Sequence, residues 1–313
     1  MPMIGSCVIS QGSKLKIERA VQILVRRRAA LGDAIMSTGV VRELKRRYVC
    51  NIDVVTDFPD AYRNSPHIRD LFSTATAPNP AIYDLYINLD DCYEFNPENH
   101  YLDSYWYRAF GETTGDQSVE LFATDEDRTR ILNIQYENDL DRYIVVHMRN
   151  WHWELKNMNL QTWFDVYAQV FEQHDDIKVV CVGGPTDHYI DLPMFVDLRG
   201  NLTPQQLMLL MDDARCFVGT DSAPYHCAAA SDTHVIALLT HLRPDRILPI
   251  RNRGLVTGPG WNATAVSAEV DCIGCNDRQA RPVSQIICER GTMPCKDLFD
   301  SKKIATAILE QLK

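Results

Sequence analysis

From residue 21 onward the chain alternates short apolar runs with longer stretches in which apolar residues return every three or four positions. VQILVR (21–26) contains β-branched residues and predicts a strand. In the segment after it, Ile35, Val40, Val41 and Leu44 recur at roughly helical spacing. Lys45, Arg46 and Arg47 fill the last turn, where a helix dipole favours cations. NIDVVTD (51–57) predicts a second strand, so the order is strand, helix, strand with short connections, the unit of a parallel sheet. YDLYINL (83–89) predicts another strand, and ENHYLDSYWYRAFGE (98–112) an aromatic-rich helix closed by Gly111.

The charged stretch TDEDRTRILNIQYENDLDR (124–142) reads as a helix and linker, and beyond it the pattern restarts. YIVVHM (143–148) and KVVCVGG (178–184) predict strands on either side of the helix QTWFDVYAQVFEQH (161–174). TPQQLMLLMDDA (203–214) predicts a helix that Thr203 opens, with Pro204 at its first position. RCFVGT (215–220) and HVIALLT (234–240) predict two more strands, and SKKIATAILEQLK (301–313) an amphipathic terminal helix. The expectation is an α/β protein of two parallel-sheet domains, residues 1–140 and 141–313. In such sheets ligands bind outside the carboxyl ends of the strands, here between the domains.

Composition agrees with this picture: 313 residues are enough for two ordinary domains, and 45% hydrophobic with 24% charged residues suits a globular chain. No run approaches the ~18 apolar residues of a membrane span, and MPMIGSCVISQGSKLK lacks the apolar stretch of a signal peptide. A cytoplasmic location is therefore expected, with peripheral contact at the inner face of the membrane left open. A net charge of −10 disfavours a general nucleic-acid binder. Residues 14–47, however, carry ten Lys and Arg against Glu18, Asp33 and Glu43, a local +7. That run is either a solvated helix face or a patch for an anionic partner.

Two strand-to-helix turns carry unusual polar residues. In RRRAALGDAI, Gly32 and Asp33 stand where a helix begins; Asp33 is either a helix cap or a carboxylate at the cleft available as a general base. Gly32 would leave room there for a substrate. In VGTDSAPYHCAAA (218–230), the amides near Ser222–Tyr225 form an anion site at a helix N-terminus. Pro224 suits the first turn, and Ala228, Ala229 and Ala230 keep the helix slim. Asp221 would repel a phosphate, and fits better orienting a ribose hydroxyl, a lysine or the turn. His226 donates to a phosphate or satisfies a core carbonyl. Gly183 and Gly184 end a strand and would admit a nucleotide closely, and Lys156, after RNWHWE, offers a point charge to a diphosphate. The absence of GxGxxG and GxxxxGK[ST] removes the main support for dinucleotide dehydrogenases and P-loop NTPases.

Taken together, ILVRRRAALGDAIMSTGVVRELKRRY with NIDVVTD, VVCVGGPTD, and VDLRGNLTPQQLMLLMDDARCFVGTDSAPYHCAAA resemble the family 9 glycosyltransferases, the group of the ADP-heptose–lipopolysaccharide heptosyltransferases. The resemblance implies a GT-B architecture, two Rossmann-like domains facing across a cleft, with the acceptor on the first and the nucleotide sugar on the second. It implies Asp33 as the catalytic base and Asp221, Ser222, Ala223, Pro224 and His226 as the diphosphate-binding turn. Lys156 falls on the donor phosphates and Gly183 and Gly184 near the nucleotide. Arg26, Arg28 and Gly32 are the candidate acceptor contacts. The implied reaction inverts the anomeric centre and requires no cofactor. An ADP-sugar is the expected donor, and an anionic glycan such as a lipopolysaccharide core, or else a modified base in DNA, the expected acceptor. Ala223 stands where the family usually has glycine, and Trp151, His152, Trp153 and Glu154 depart from its usual loop. Rival readings are a non-catalytic nucleotide-sugar binder and a nucleotide-sugar epimerase.

Ten cysteines complete the inventory. Cys7, Cys50, Cys92, Cys181, Cys216 and Cys227 are scattered and read as small core residues. Cys272, Cys275, Cys288 and Cys295 have spacings that suit a structural zinc ion, or remain thiols.

Overall fold

The computed structural model describes residues 20–96, 98–253, 256–259, 262–279 and 287–313. Cys7 and the start of the basic run, Lys14, Lys16, Glu18 and Arg19, lie outside these residues. Strand β1 (Val21–Arg26) leads into helix α1 (Leu31–Arg47), then β2 (Cys50–Val55), β3 (Asp70–Phe72) and β4 (Leu85–Asn88). These four strands form a parallel sheet in the order β3-β2-β1-β4. Helices α2 (Tyr101–Phe110) and α3 (Asp125–Glu137) follow. Gly111 ends α2 in the left-handed conformation, φ 74°, which a residue without Cβ adopts readily. Thr124 opens α3 by accepting from the Asp127 amide, while the Asp127 carboxylate accepts from the Thr124 amide.

A second sheet starts at β5 (Tyr143–His147) and continues through α4 (Leu160–Phe171), β6 (Lys178–Cys181), β7 (Phe195–Asp197), α5 (Pro204–Asp212), β8 (Cys216–Thr220), α6 (Ala223–Ala230) and β9 (His234–Leu239). Then come α7 (Pro244–Ile247), the antiparallel pair β10 (Ile250–Arg253) and β11 (Val256–Pro259), β12 (Ala263–Ser267), α8 (Cys275–Gln279) and α9 (Ser301–Gln311). The six parallel strands are ordered β12-β9-β8-β5-β6-β7. In both sheets the first strand sits at the reversal of strand order, β1 beside β4 and β5 beside β8, and at such points α/β proteins bind ligands.

β5 and β8 are buried along their whole length, as expected of strands covered on both faces. One apolar cluster runs from Ile23 and Ile35 through Leu210 and Tyr225 to Phe217 and Val235, so the two halves share a continuous core. A second cluster, with Trp163, Val179 and Ile304, fills the other face of the six-stranded sheet beneath α4 and α9. Polar ties reinforce the joint: Arg246 Nη1 donates to Asn96 O at 2.6 Å and Gln205 Nε2 to Asp60 O at 2.6 Å. The predicted strands and helices fall where the pattern places them. β3 and β7, three residues each, carry too little alternation to be read. Among the described residues no helix is long and apolar enough to cross a membrane.

Candidate active site

The turn after β1 brings Asp33 into a polar knot. Asp33 occupies the first turn of α1, and its Oδ2 accepts from the Ala30 amide at 2.7 Å. Its Oδ1 faces Arg27 Nη2 at 2.9 Å, the Tyr93 hydroxyl at 2.7 Å and the Tyr105 hydroxyl at 3.4 Å. Arg27 is 3% exposed, lies against both tyrosine rings, and also reaches Glu94 at 3.3 Å. Burial, together with the nearby carboxylates, raises the Tyr93 and Tyr105 hydroxyls well above their ordinary values, so both remain donors to Asp33. A carboxylate offers about four lone-pair positions, and Oδ2 keeps one beside the Ala30 bond. Asp33 thus both caps a helix and retains an acceptor site.

The turn after β8 is organised by Asp221. Its Oδ2 pairs with Lys156 Nζ, and its Oδ1 lies 3.1 Å from His226 Nε2. Burial alone would raise the Asp221 carboxyl; the Lys156 charge and the His226 contact outweigh it and hold the group far below the usual carboxylate range. Lys156 also lies over the Trp153 ring at 4.7 Å. Ser222 is the N-cap residue of α6 but spends its hydroxyl elsewhere, donating to Thr220 O at 2.9 Å and lying 2.9 Å from His147 Nδ1. His147 Nε2 meets Asp187 Oδ2 at 2.9 Å. One hydroxyl proton cannot serve both Thr220 and His147, so the tautomer of His147 decides which of the two contacts the Ser222 hydroxyl donates to. Helix geometry leaves the Ala223 and Tyr225 amides at the start of α6 without intrahelical acceptors.

The two turns meet because α1 packs on α6. A Cβ on Gly32 would fall 2.7 Å from His226 Cδ2 and 3.6 Å from the Ala223 Cα. The space expected to admit substrate at Gly32 is therefore filled by His226, and the glycine serves close helix contact. Gly183, at φ 120°, serves another close approach: a Cβ there would lie 2.4 Å from Asp187 Oδ2 and 2.5 Å from His147 Cδ2. Gly184 donates its amide to Asp187 at 2.7 Å.

A cavity of about 340 Å³ opens beside the α6 turn, lined by Leu31, Gly183, Gly184, Ser222, Ala223 and Pro224 among others. His147, Arg149 and Asp187 line it as well. These three, with Arg27, Tyr93 and Tyr105, were not among the residues singled out from the sequence. The signal available was a histidine and an arginine at the carboxyl end of a central strand, HMR (147–149). His226 and Lys156 both point to Asp221 instead of a core carbonyl or open solvent.

The basic run is largely matched by carboxylates. Arg26 pairs with Asp90, Arg42 with Asp116 and Glu120, and Arg46 and Arg47 with Glu43. Arg28 is exposed, with no carboxylate partner among the described residues. Among the described residues of the run, Arg28 is thus the exposed arginine without a carboxylate partner, and Arg46, also exposed, is paired with Glu43. Of the scattered cysteines, Cys50, Cys92, Cys181, Cys216 and Cys227 are buried thiols. Burial and the neighbouring thiols push Cys275 and Cys295 up to about 11. Among the described residues, however, no three His, Cys, Asp or Glu side chains form a group that would hold a metal ion. Cys272, Cys275, Cys288 and Cys295 are present as neighbouring free thiols.

Comparison with known proteins bears on this site. The model of glycosyltransferase family 9 (heptosyltransferase) matches residues 113–272. A family 9 glycosyl transferase from Veillonella parvula superimposes with a TM-score of 0.70 at 14% identity, covering 93% of this chain and 97% of its own. The ADP-heptose lipopolysaccharide heptosyltransferase II of E. coli gives 0.62 at 14%, covering 93% and 100%. TibC of enterotoxigenic E. coli, an iron-containing dodecameric heptosyltransferase solved with ADP-D-β-D-heptose, gives 0.65 at 16%, covering 94% and 76%. No curated protein sequence matches. These likenesses establish the GT-B fold.

Proposed function

The chain belongs to glycosyltransferase family 9, and from that premise we propose that it moves a sugar from a nucleoside-diphosphate donor to an acceptor hydroxyl with inversion at the anomeric carbon. The observation that carries this reading is the packing of α1 on α6, which sets a carboxylate with an available lone pair next to a helix N-terminus built for anions. In the proposed reaction, the acceptor hydroxyl docks on Asp33 Oδ2 and gives up its proton there. Its oxygen attacks the anomeric carbon as the bond to the diphosphate breaks, and the diphosphate leaves with the electron pair. The α6 amides and neighbouring cations meet the growing charge, so protein groups take the place a divalent ion fills in other transferases.

The relative solved with ADP-D-β-D-heptose supports an ADP-sugar, heptose or similar, as donor. An anionic glycan such as a lipopolysaccharide core is the favoured acceptor, with Arg28 at the rim of the first sheet. The pairing of Arg26, Arg42, Arg46 and Arg47 with carboxylates weighs against a DNA acceptor, which needs many unpaired cations. Calorimetry with ADP, UDP, GDP and CDP tests the donor half. One diphosphate is expected to bind the wild type and to lose about tenfold or more in affinity in Ala223→Asp. That change suits a helix first turn but places negative charge where the phosphate would sit. Failure of all four to bind would overturn the reading.

A further inference from the structure

The resemblance puts Lys156 on the donor phosphates, but in the structure its charge is committed. Its ammonium pairs with Asp221, rests on Trp153 and belongs to a compact Lys156–Asp221–His226 group whose charges largely cancel. A few residues earlier, at the carboxyl end of β5, Arg149 is in the opposite condition. It lines the cavity beside Ser222, Ala223 and Gly184. No hydrogen bond or ion pair engages its guanidinium among the described residues, and its Nε is buried with no acceptor. The two nearest carboxylates are already occupied. Asp187 accepts from His147, the Asn150 amide and the Gly184 amide, and Asp221 from Lys156 and His226.

We propose that Arg149 is the residue that grips the diphosphate of the donor, and that Lys156 instead holds Asp221 and the α6 turn in shape. The inference rests on the donor reading above. An arginine presents a planar fork that matches two phosphate oxygens at once, and a partly desolvated, unpaired one gains most when an anion arrives. Burial lowers the Arg149 pKa even though Asp221 and Asp187 act to raise it, the mark of a cation that its surroundings do not compensate. The committed Lys156 also resolves the repulsion that Asp221 would exert on a phosphate, because the aspartate charge is already met. Arg149 and the α6 turn line the same cavity, so both can meet one anion there.

This division of labour makes the two cations respond differently to removal. Arg149→Gln takes away an uncompensated, half-buried charge, so the ligand-free melting temperature holds or rises. Lys156→Gln strands Asp221, so the melting temperature falls. Calorimetry on the full chain, with ADP, UDP, GDP and CDP and their parent nucleosides, reads the binding side. The diphosphate that binds the wild type is expected to weaken by about 10- to 100-fold in Arg149→Gln, the scale of a charge-assisted pair, with partial recovery in Arg149→Lys. Affinity for the parent nucleoside stays unchanged. Wild-type binding of a diphosphate that Arg149→Gln retains in full, while Lys156→Gln folds and loses it, overturns the assignment and leaves the donor reading standing. A wild type that binds no diphosphate overturns both.

Discussion

The turn after β1 and the cavity beside the turn after β8 both lie at a reversal of strand order, yet each handles an arginine differently. Arg27 is saturated: Asp33, Glu94 and two tyrosine rings surround it. Arg149 is unsatisfied at a cavity wall. The first turn thus fixes a carboxylate in one orientation before any ligand arrives, whereas the second keeps a cation whose partner comes from outside. What differs is whether the charge is balanced within the protein, and the roles proposed for Asp33 and Arg149 rest on that difference.

Breaking the balance at Arg27 gives the largest effect. Arg27→Met leaves Asp33 and Glu94, both partly buried, without their shared cation. Removing one partner of such a group costs roughly 3–5 kcal/mol. Denaturant unfolding should show that loss, in contrast to Arg149→Gln. Equal stability effects for the two substitutions would erase the distinction between the turns.

A smaller effect sharpens the joint between the halves. His100 opens α2 by accepting from the Leu102 amide at Nδ1, and its Nε2 lies 2.9 Å from Leu248 O across the interface. Burial lowers its pKa to about 4 in the folded protein. The unfolded chain, with a value near ~6.5, takes up the proton first on acidification. Stability is therefore level above that value and falls as pH drops from about 6.5 toward 4. At pH 5 the loss from this group is about 2 kcal/mol. Melting temperatures at pH 7.5 and 5 should show the drop, and His100→Asn, which keeps a capping acceptor but does not titrate, should reduce it. An equal drop in the variant would place the acid sensitivity elsewhere.

The two turns also differ in how far the sequence exposes them. The α6 turn is written in one contiguous segment, 218–230, where strand, cap, proline and small residues follow in order and imply an anion site directly. The setting of Asp33 is assembled from afar: Tyr93 comes from the turn after β4 and Tyr105 from α2, 60 and 72 residues along the chain. Nothing in the local pattern distinguishes them from core aromatics. Gly32 and Gly183 were legible as glycines that matter, but what fills the space beside each, His226 in one case and the His147–Asp187 pair in the other, is a tertiary fact. Arg149 was passed over for a related reason. An arginine after a strand is ordinary, and only the folded chain shows that no partner reaches it. The basic run misled in the opposite direction, because the carboxylates that match it lie 64 to 78 residues away or on a helix face that periodicity alone does not resolve.

In the proposed function Asp33 performs proton transfer on an acceptor while the donor is held independently at α6. Its most direct test is turnover of Asp33→Asn, with nucleotide affinity measured on the same preparation. A fall of ~10²–10⁴-fold in kcat is expected, the usual scale for a positioned base, with nucleotide affinity unchanged. Near-normal turnover under conditions where chemistry limits the rate would contradict it.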